Sequence, residues 1–156
     1  MVCQIAAFLT MAAAAGEPTG CPDFTVDLPR AKKGLVLARD FGLSTATSNN
    51  AAAITAALRE AKRRGAGRVV LERGTFYCHD VRGVVAEGLD DVTIDGKGAT
   101  LVFYRPSDFH DQPQWDNPRD GANFILKDCR RVLLTNLSVD WDWEQDPLGE
   151  FVTVVD

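Results

Sequence analysis

The sequence predicts an all-β fold of short stacked strands, entered through one N-terminal helix. Three observations carry that expectation. A single amphipathic helical pattern, Ala51 to Arg64, is followed from Arg68 onward by short β-rich runs broken by Gly, Asn and Asp. No later helix interrupts them, which excludes a doubly wound βαβ sheet and leaves a meander, a sandwich or a β-solenoid. An internal repeat bears on that choice. Leu89-Asp90-Asp91-Val92-Thr93-Ile94-Asp95-Gly96 lines up with Cys129-Arg130-Arg131-Val132-Leu133-Leu134-Thr135-Asn136, and each copy leads into a second short strand.

The alignment sets Gly96 opposite Asn136. Gly and Asn most readily take positive φ, so both are expected at sharp turns between successive sheets. In a parallel coil the strands pair between copies, whereas in a hairpin they pair within one. A sandwich shares the strand spacing. The discriminating expectation is therefore that Val92-Thr93-Ile94 and Val132-Leu133-Leu134 lie parallel in one sheet. The copies stand 40 residues apart, which is one coil of a little over ~20 residues plus an excursion from Arg105 to Asn123.

The elements follow in order. Residues 1–15 read as a secretory signal, because Val2 to Ala15 is apolar apart from Gln4 and Thr10, and Ala13-x-Ala15 suits signal peptidase. No Lys or Arg precedes the apolar run. Residues 16–34 form a linker containing Pro and Gly, and Leu35-Val36-Leu37 is the first strand, leading into Asp40-Phe41-Gly42. Ser48, Asn49 and Asn50 are N-cap candidates, since their side-chain oxygens can accept the orphaned amide protons of a first helical turn. Ala53, Ile54, Ala57, Leu58 and Ala61 make one apolar helix face, with Arg59, Glu60, Lys62 and Arg63 largely on the other. Gly65 is placed to end the helix. The expected strands beyond it are Val69 to Leu71, Thr75 to Tyr77, Val92 to Ile94, Thr100 to Tyr104, Val132 to Leu134, Leu137 to Trp141 and Phe151 to Val155.

With 156 residues, 46% hydrophobic and 25% charged, the chain suits one folded domain with a real core. Its net charge of -5 counts against nucleic-acid binding, which needs clustered cations to replace phosphate counterions. The basic run Lys62-Arg63-Arg64 fits the carbonyl end of the helix instead. The apolar leader is too short to span a bilayer as a helix, and no other segment approaches the length required. Cys3, Cys21, Cys78 and Cys129 are irregularly spaced, and three would remain after signal removal, so free thiols are expected rather than a disulfide or zinc framework. No cofactor is expected. The chain has no Gly-rich phosphate loop opening a helix, no Gly-x-Ser-x-Gly elbow and no recognisable Cys/His pair. No metal site is expected either: His110 with Asp108 and Asp111 is too local to define one, and His79 beside Asp80 reads as a strand-end pair.

Several segments together carry a family resemblance. Asp40-Phe41-Gly42, Ala53-Ile54 with Ala57-Leu58, Gly65-Ala66-Gly67-Arg68-Val69-Val70-Leu71, Gly74-Thr75-Phe76-Tyr77 and Val92-Thr93-Ile94-Asp95-Gly96 resemble the N-terminal part of pectin-lyase-fold proteins. That group contains polysaccharide lyases, polygalacturonase-like hydrolases, epimerases and phage tailspikes. The resemblance covers most of Leu35 to Val139 and implies a right-handed parallel β-helix, with the helix at Ala51 to Arg64 capping its open end. Two departures touch loop geometry: Ser44 to Asn49 lacks the usual Asp-Gly, and Arg73 stands where Pro often precedes the Gly. A narrower resemblance runs through FILKDCRRVLLTNLSVDWD, Phe124 to Asp142, which is similar to the early rungs of β-helical α-1,3-galactosidases. Its specific part is Asp140-Trp141-Asp142.

Strand alternation puts Leu137, Val139 and Trp141 on one face and Ser138, Asp140 and Asp142 on the other. With the apolar face inward, Asp140 and Asp142 point outward about 7 Å apart, and Glu144 continues the line if the strand persists. An acidic outer stripe suits a glycosidase that holds a sugar chain along its coil, because carboxylates on neighbouring rungs bracket the separations used in hydrolysis. The competing reading is a solvated acidic strand end. Trp115 and Trp143 offer sugar-stacking surfaces, and Trp115 lies in the long excursion, where binding residues concentrate.

The expected whole is the N-terminal portion of a secreted or periplasmic carbohydrate-active β-helix, residues 35–156 forming its cap and first rungs. The expected activity is that of a glycoside hydrolase with paired carboxylates, and the catalytic groups are expected mainly beyond Asp156. The expected partner is a glycan. A non-catalytic binding scaffold explains the fold equally well, since fold does not license function. A lyase would need a basic residue beside an acidic sugar.

Overall fold

The computed structural model describes residues 26–80, 82–104 and 122–145. The expected signal, the strand Phe151 to Val155, Trp115, His110, and all of the long excursion except Ala122 and Asn123 lie outside the described residues. The described chain is mainly β, with parallel sheets and one α-helix. Its elements are β1 (Leu35–Leu37), a 3-10 turn (Ala38–Phe41), α1 (Ala51–Arg64), β2 (Arg68–Val70), β3 (Gly74–His79), β4 (Val84–Glu87), β5 (Asp90–Tyr104), β6 (Phe124–Lys127) and β7 (Arg130–Trp141). No helix among the described residues is long and apolar enough to cross a membrane.

Helix α1 has the expected bounds, and of its three cap candidates Asn49 makes the expected contact. Asn49 Oδ1 accepts the Ala51 amide at 3.1 Å. Asn50 is buried and is spent elsewhere: Oδ1 accepts from Ser44 N at 2.8 Å, while Nδ2 donates to the Tyr77 carbonyl at 3.0 Å. One asparagine thus closes the first turn, and the other ties the entry loop to β3. At the far end Gly65 adopts φ 64, and the Ala66 amide reaches the Ala61 carbonyl at 2.9 Å, the left-handed stop expected of Gly there. Ile54, Ala57, Leu58 and Ala61 are buried, whereas Ala53 is only partly covered. Thr55 on the same helix accepts the Val85 amide at 3.0 Å, so α1 satisfies a backbone donor on the free side of β4.

The repeat pairs as its alignment requires. Val92, Thr93 and Ile94 lie parallel to Val132, Leu133 and Leu134 in the same register, which rules out a hairpin within either copy. Strands β5 and β7 each run through the turn as one long bent strand rather than two short ones. Ahead of the bend, β5 lies between β2 and β7; beyond it, β5 lies between β3 and β7. Arg68 stands opposite Thr93 and Phe76 opposite Leu101, both 25 positions apart.

Strands β4 and β6 were not anticipated. They pair parallel, Val84 with Phe124 and Glu87 with Lys127, at the same offset of 40 that β5 and β7 keep ahead of the bend. The alignment could have been extended to Val84, because Val84-Val85 and Phe124-Ile125 are strand-forming pairs at matching positions.

The turn itself corrects one expectation. Asn136 takes φ 54 as expected, but Gly96 does not enter the positive region; Lys97 does, at φ 51. Three residues, Gly96 to Gly98, face Asn136 alone, and the register shifts there. Gly96 is needed for space, because a Cβ on it would stand 2.4 Å from Leu137 Cβ and 2.6 Å from the Asn136 carbonyl oxygen. Positive φ also recurs at Asp91 and Arg131, the matched positions where the strands leave the preceding bend.

The core is made of columns of facing side chains. Val36, Val69, Ile94 and Leu134 form one across four strands, and Cys78, Phe103 and Trp141 form another across three. Val139 shares a column with buried Phe76 and Leu101, yet it is 47% exposed. Its direction is the inward one expected; its burial is not, because no described strand lies on the far side of β7. Cys78 and Cys129 are free thiols, and burial pushes Cys78 up to about 12.

Candidate functional site

The register of β3, β5 and β7 builds a second, outward set of columns. Thr75, Thr100 and Ser138 make the first; Tyr77, Val102 and Asp140 make the second; His79 and Tyr104 open the third. The Asp142 amide continues the β5 to β7 ladder by donating to the Phe103 carbonyl at 2.9 Å, which brings Asp142 alongside Tyr104. Hydroxyls, phenols, an imidazole and a carboxylate therefore share one face.

Asp142 lies on the outer face beside His79, but it is covered there and does not point into solvent as expected. It is 8% exposed, and Oδ2 lies 3.0 Å from His79 Nε2. Its Oδ1 accepts the amides of Glu144 and Gln145 at 3.2 and 3.3 Å. The strand ends at Trp141, and the turn that follows engages Asp142. Glu144 does not extend the strand line, since Trp143 to Gln145 form a turn and Glu144 is exposed within it. Trp143 is 47% exposed, and Asp140 is exposed with Oδ1 accepting the Trp141 amide at 2.8 Å. Asp140 and Asp142 therefore do not form the outward pair expected from alternation. Trp115 lies outside the described residues.

Sequence reasoning missed His79. It bonds Asp142 across 63 positions, not its neighbour Asp80, which instead accepts from Asn49 Nδ2 at 2.9 Å and the Arg82 amide at 2.9 Å. The His79 ring sits edge-on to both Tyr77 and Tyr104, with centroids 5.3 Å away in each case. Such contacts are worth about 0.5–1.5 kcal/mol each beyond area burial. The available signal was the offset of 25, which places His79 directly opposite Tyr104 once the strands are paired.

Beside this face, Asp95, Lys97, Gly98, Asn136, Leu137 and Ser138 line an open groove of about 630 Å³ at the strand bend. Asp95 is buried at its base and receives Arg68, the Lys97 amide at 3.0 Å and Asn136 Nδ2 at 3.1 Å. The Arg68 guanidinium, foremost, holds Asp95 down to about 2. Asp91 is likewise held well below the carboxylate range, first by Arg131 and then by the Arg30 amide. Lowered folded values mean that these carboxylates stabilise the fold fully above about pH 4, their unfolded range, and that this contribution is lost as pH falls towards about 2. Urea melts between pH 6 and pH 2.5 are expected to show that acid loss, and Asp95→Asn is expected to flatten it.

Among the described residues no cluster of three or more His, Cys, Asp or Glu is placed to hold a metal ion. The face can instead accept and donate hydrogen bonds through neutral hydroxyls, offer tyrosine edges to apolar C–H groups, and present one exposed carboxylate. The chain matches no protein-family model and no curated protein, so the chemistry of these columns carries the functional assignment.

Proposed function

We propose that this chain forms early rungs of a right-handed parallel β-helix of the pectin-lyase kind, with α1 as its cap. Its outer face at β3, β5 and β7 binds a neutral glycan in a secreted or periplasmic glycoside hydrolase. The observation that carries this reading is the outward alignment of Thr75, Thr100 and Ser138 beside Tyr77, Asp140, His79 and Tyr104. A glycan needs such a mixture, because its hydroxyls seek paired donors and acceptors while its C–H faces favour aromatic surface. The 25-residue register supports the coil, being the length of one turn without the excursion.

A second reading, a non-catalytic glycan-binding scaffold, draws on the engagement of Asp142. That carboxylate already serves His79 and two amides, so hydrolysis would have to pair Asp140 with an acid from another rung. Calorimetric titration with an α-1,3-linked galactobiose, run beside an assay for released galactose, separates the two readings. Tyr77→Ala and Asp140→Asn are each expected to weaken binding about tenfold, or 1.4 kcal/mol. Release of galactose supports the hydrolase and binding without release the scaffold, whereas absence of binding overturns both.

A further inference from the structure

We infer that His79 is the group on the outer face that accepts a hydrogen bond from a sugar hydroxyl, through Nδ1, and that Asp142 is the positioning residue that fixes its tautomer. The inference rests on the glycan-binding reading above and adds to it the atom that makes the contact.

The chemistry of the pair sets the direction of the bond. A carboxylate only accepts, so the proton between Asp142 Oδ2 and His79 Nε2, 3.0 Å apart, belongs to the imidazole. A neutral ring protonated at Nε2 carries its lone pair on Nδ1. Asp142 is itself held on three sides: its amide donates to Phe103, and Oδ1 takes the amides of Glu144 and Gln145. Those contacts close the turn without help from His79, so the histidine is not required to shape it. The His79 amide donates to the Ser48 carbonyl at 3.0 Å, and Tyr77 and Tyr104 brace the ring at interplanar angles of 81° and 77°.

The ring is thus fixed in position and tautomer while its side chain remains 21% exposed, and no described residue is bonded to Nδ1. An oriented acceptor of this kind discriminates among sugars. A hydroxyl that donates to Nδ1 must point towards it, and an epimer with that hydroxyl turned away leaves the nitrogen unpaired. Asp142 acts only through His79.

The experiment has two arms. Nitrogen-15 spectra of the ligand-free protein are expected to show His79 protonated at Nε2 and not at Nδ1; the opposite tautomer overturns the inference. His79→Gln retains a donor that reaches Asp142 but has no counterpart of Nδ1. It is expected to remain folded, with Tm lowered only by the loss of the two tyrosine contacts, and to lose about tenfold in affinity for α-1,3-galactobiose; wild-type affinity in this variant also overturns the inference. Asp142→Asn, which admits the other tautomer, is expected to populate Nδ1–H in the spectra and to weaken binding about threefold. Should His79→Gln fail to fold, the wild-type tautomer and Asp142→Asn decide. Failure of the wild-type protein to bind galactobiose removes the glycan reading as a whole, whereas binding that ignores His79→Gln removes this assignment alone.

Discussion

Replacing Phe103 by alanine is expected to destabilise the fold by about 3–5 kcal/mol, the range for deleting a buried phenylalanine. Phe103 is 2% exposed and stands between Cys78 and Trp141 in an inward column. Its ring also meets Phe124 at 5.6 Å, linking the long strand β5 to the sheet formed by β4 and β6. Loss of the ring removes apolar contact with two sheets at once, and the rigid strands around it cannot collapse to fill the space. The damage should reach the outer face, because Phe103 directly precedes Tyr104 and its carbonyl holds the Asp142 amide. Urea unfolding measures the effect. A loss below about 1 kcal/mol would mean that the column is not packed as described.

Gly96→Ala is expected to cost about 2–3 kcal/mol by overpacking. The new methyl would stand 2.4 Å from Leu137 Cβ and 2.6 Å from the Asn136 carbonyl oxygen, and that oxygen belongs to backbone that cannot swing aside as a flexible side chain would. Relief requires β5 and β7 to part at the bend, which would weaken the ladders on both sides of it. Gly42→Ala provides the contrast. Nothing lies within 4 Å of its added Cβ, so its cost comes from the left-handed conformation at φ 95 alone. Paired chemical melts of the two variants therefore separate crowding from backbone strain. Equal small losses would contradict the close approach of the two strands.

Much of the fold was legible in local pattern. Helix α1 has the bounds that its periodicity and Gly65 imply, and the repeat pairs in the register of its alignment as far as Asp95 and Thr135. Strands β4 and β6 escaped because both lie ahead of the repeat as aligned from Leu89 and Cys129. The role given to Gly96 was mistaken because a glycine can answer either a demand for positive φ or a demand for space, and the two leave the same letter in the sequence. Alternation gives the face of Asp142 but not its burial, because both the turn after β7 and His79 of a distant strand engage its carboxylate.

What the sequence by itself determined is helix α1 and its stop, the described strands other than β4 and β6, and the pairing partner of each half of the repeat. These follow from interactions between near neighbours and from similarity between copies, both of which are present in the linear chain. Only the tertiary structure decided that His79 meets Asp142 across 63 positions with Tyr77 and Tyr104 against its ring. That meeting depends on how many residues each connection inserts between parallel strands and on where the last strand ends. A change of one residue in either would turn the side chain to the other face, and no local propensity encodes that count.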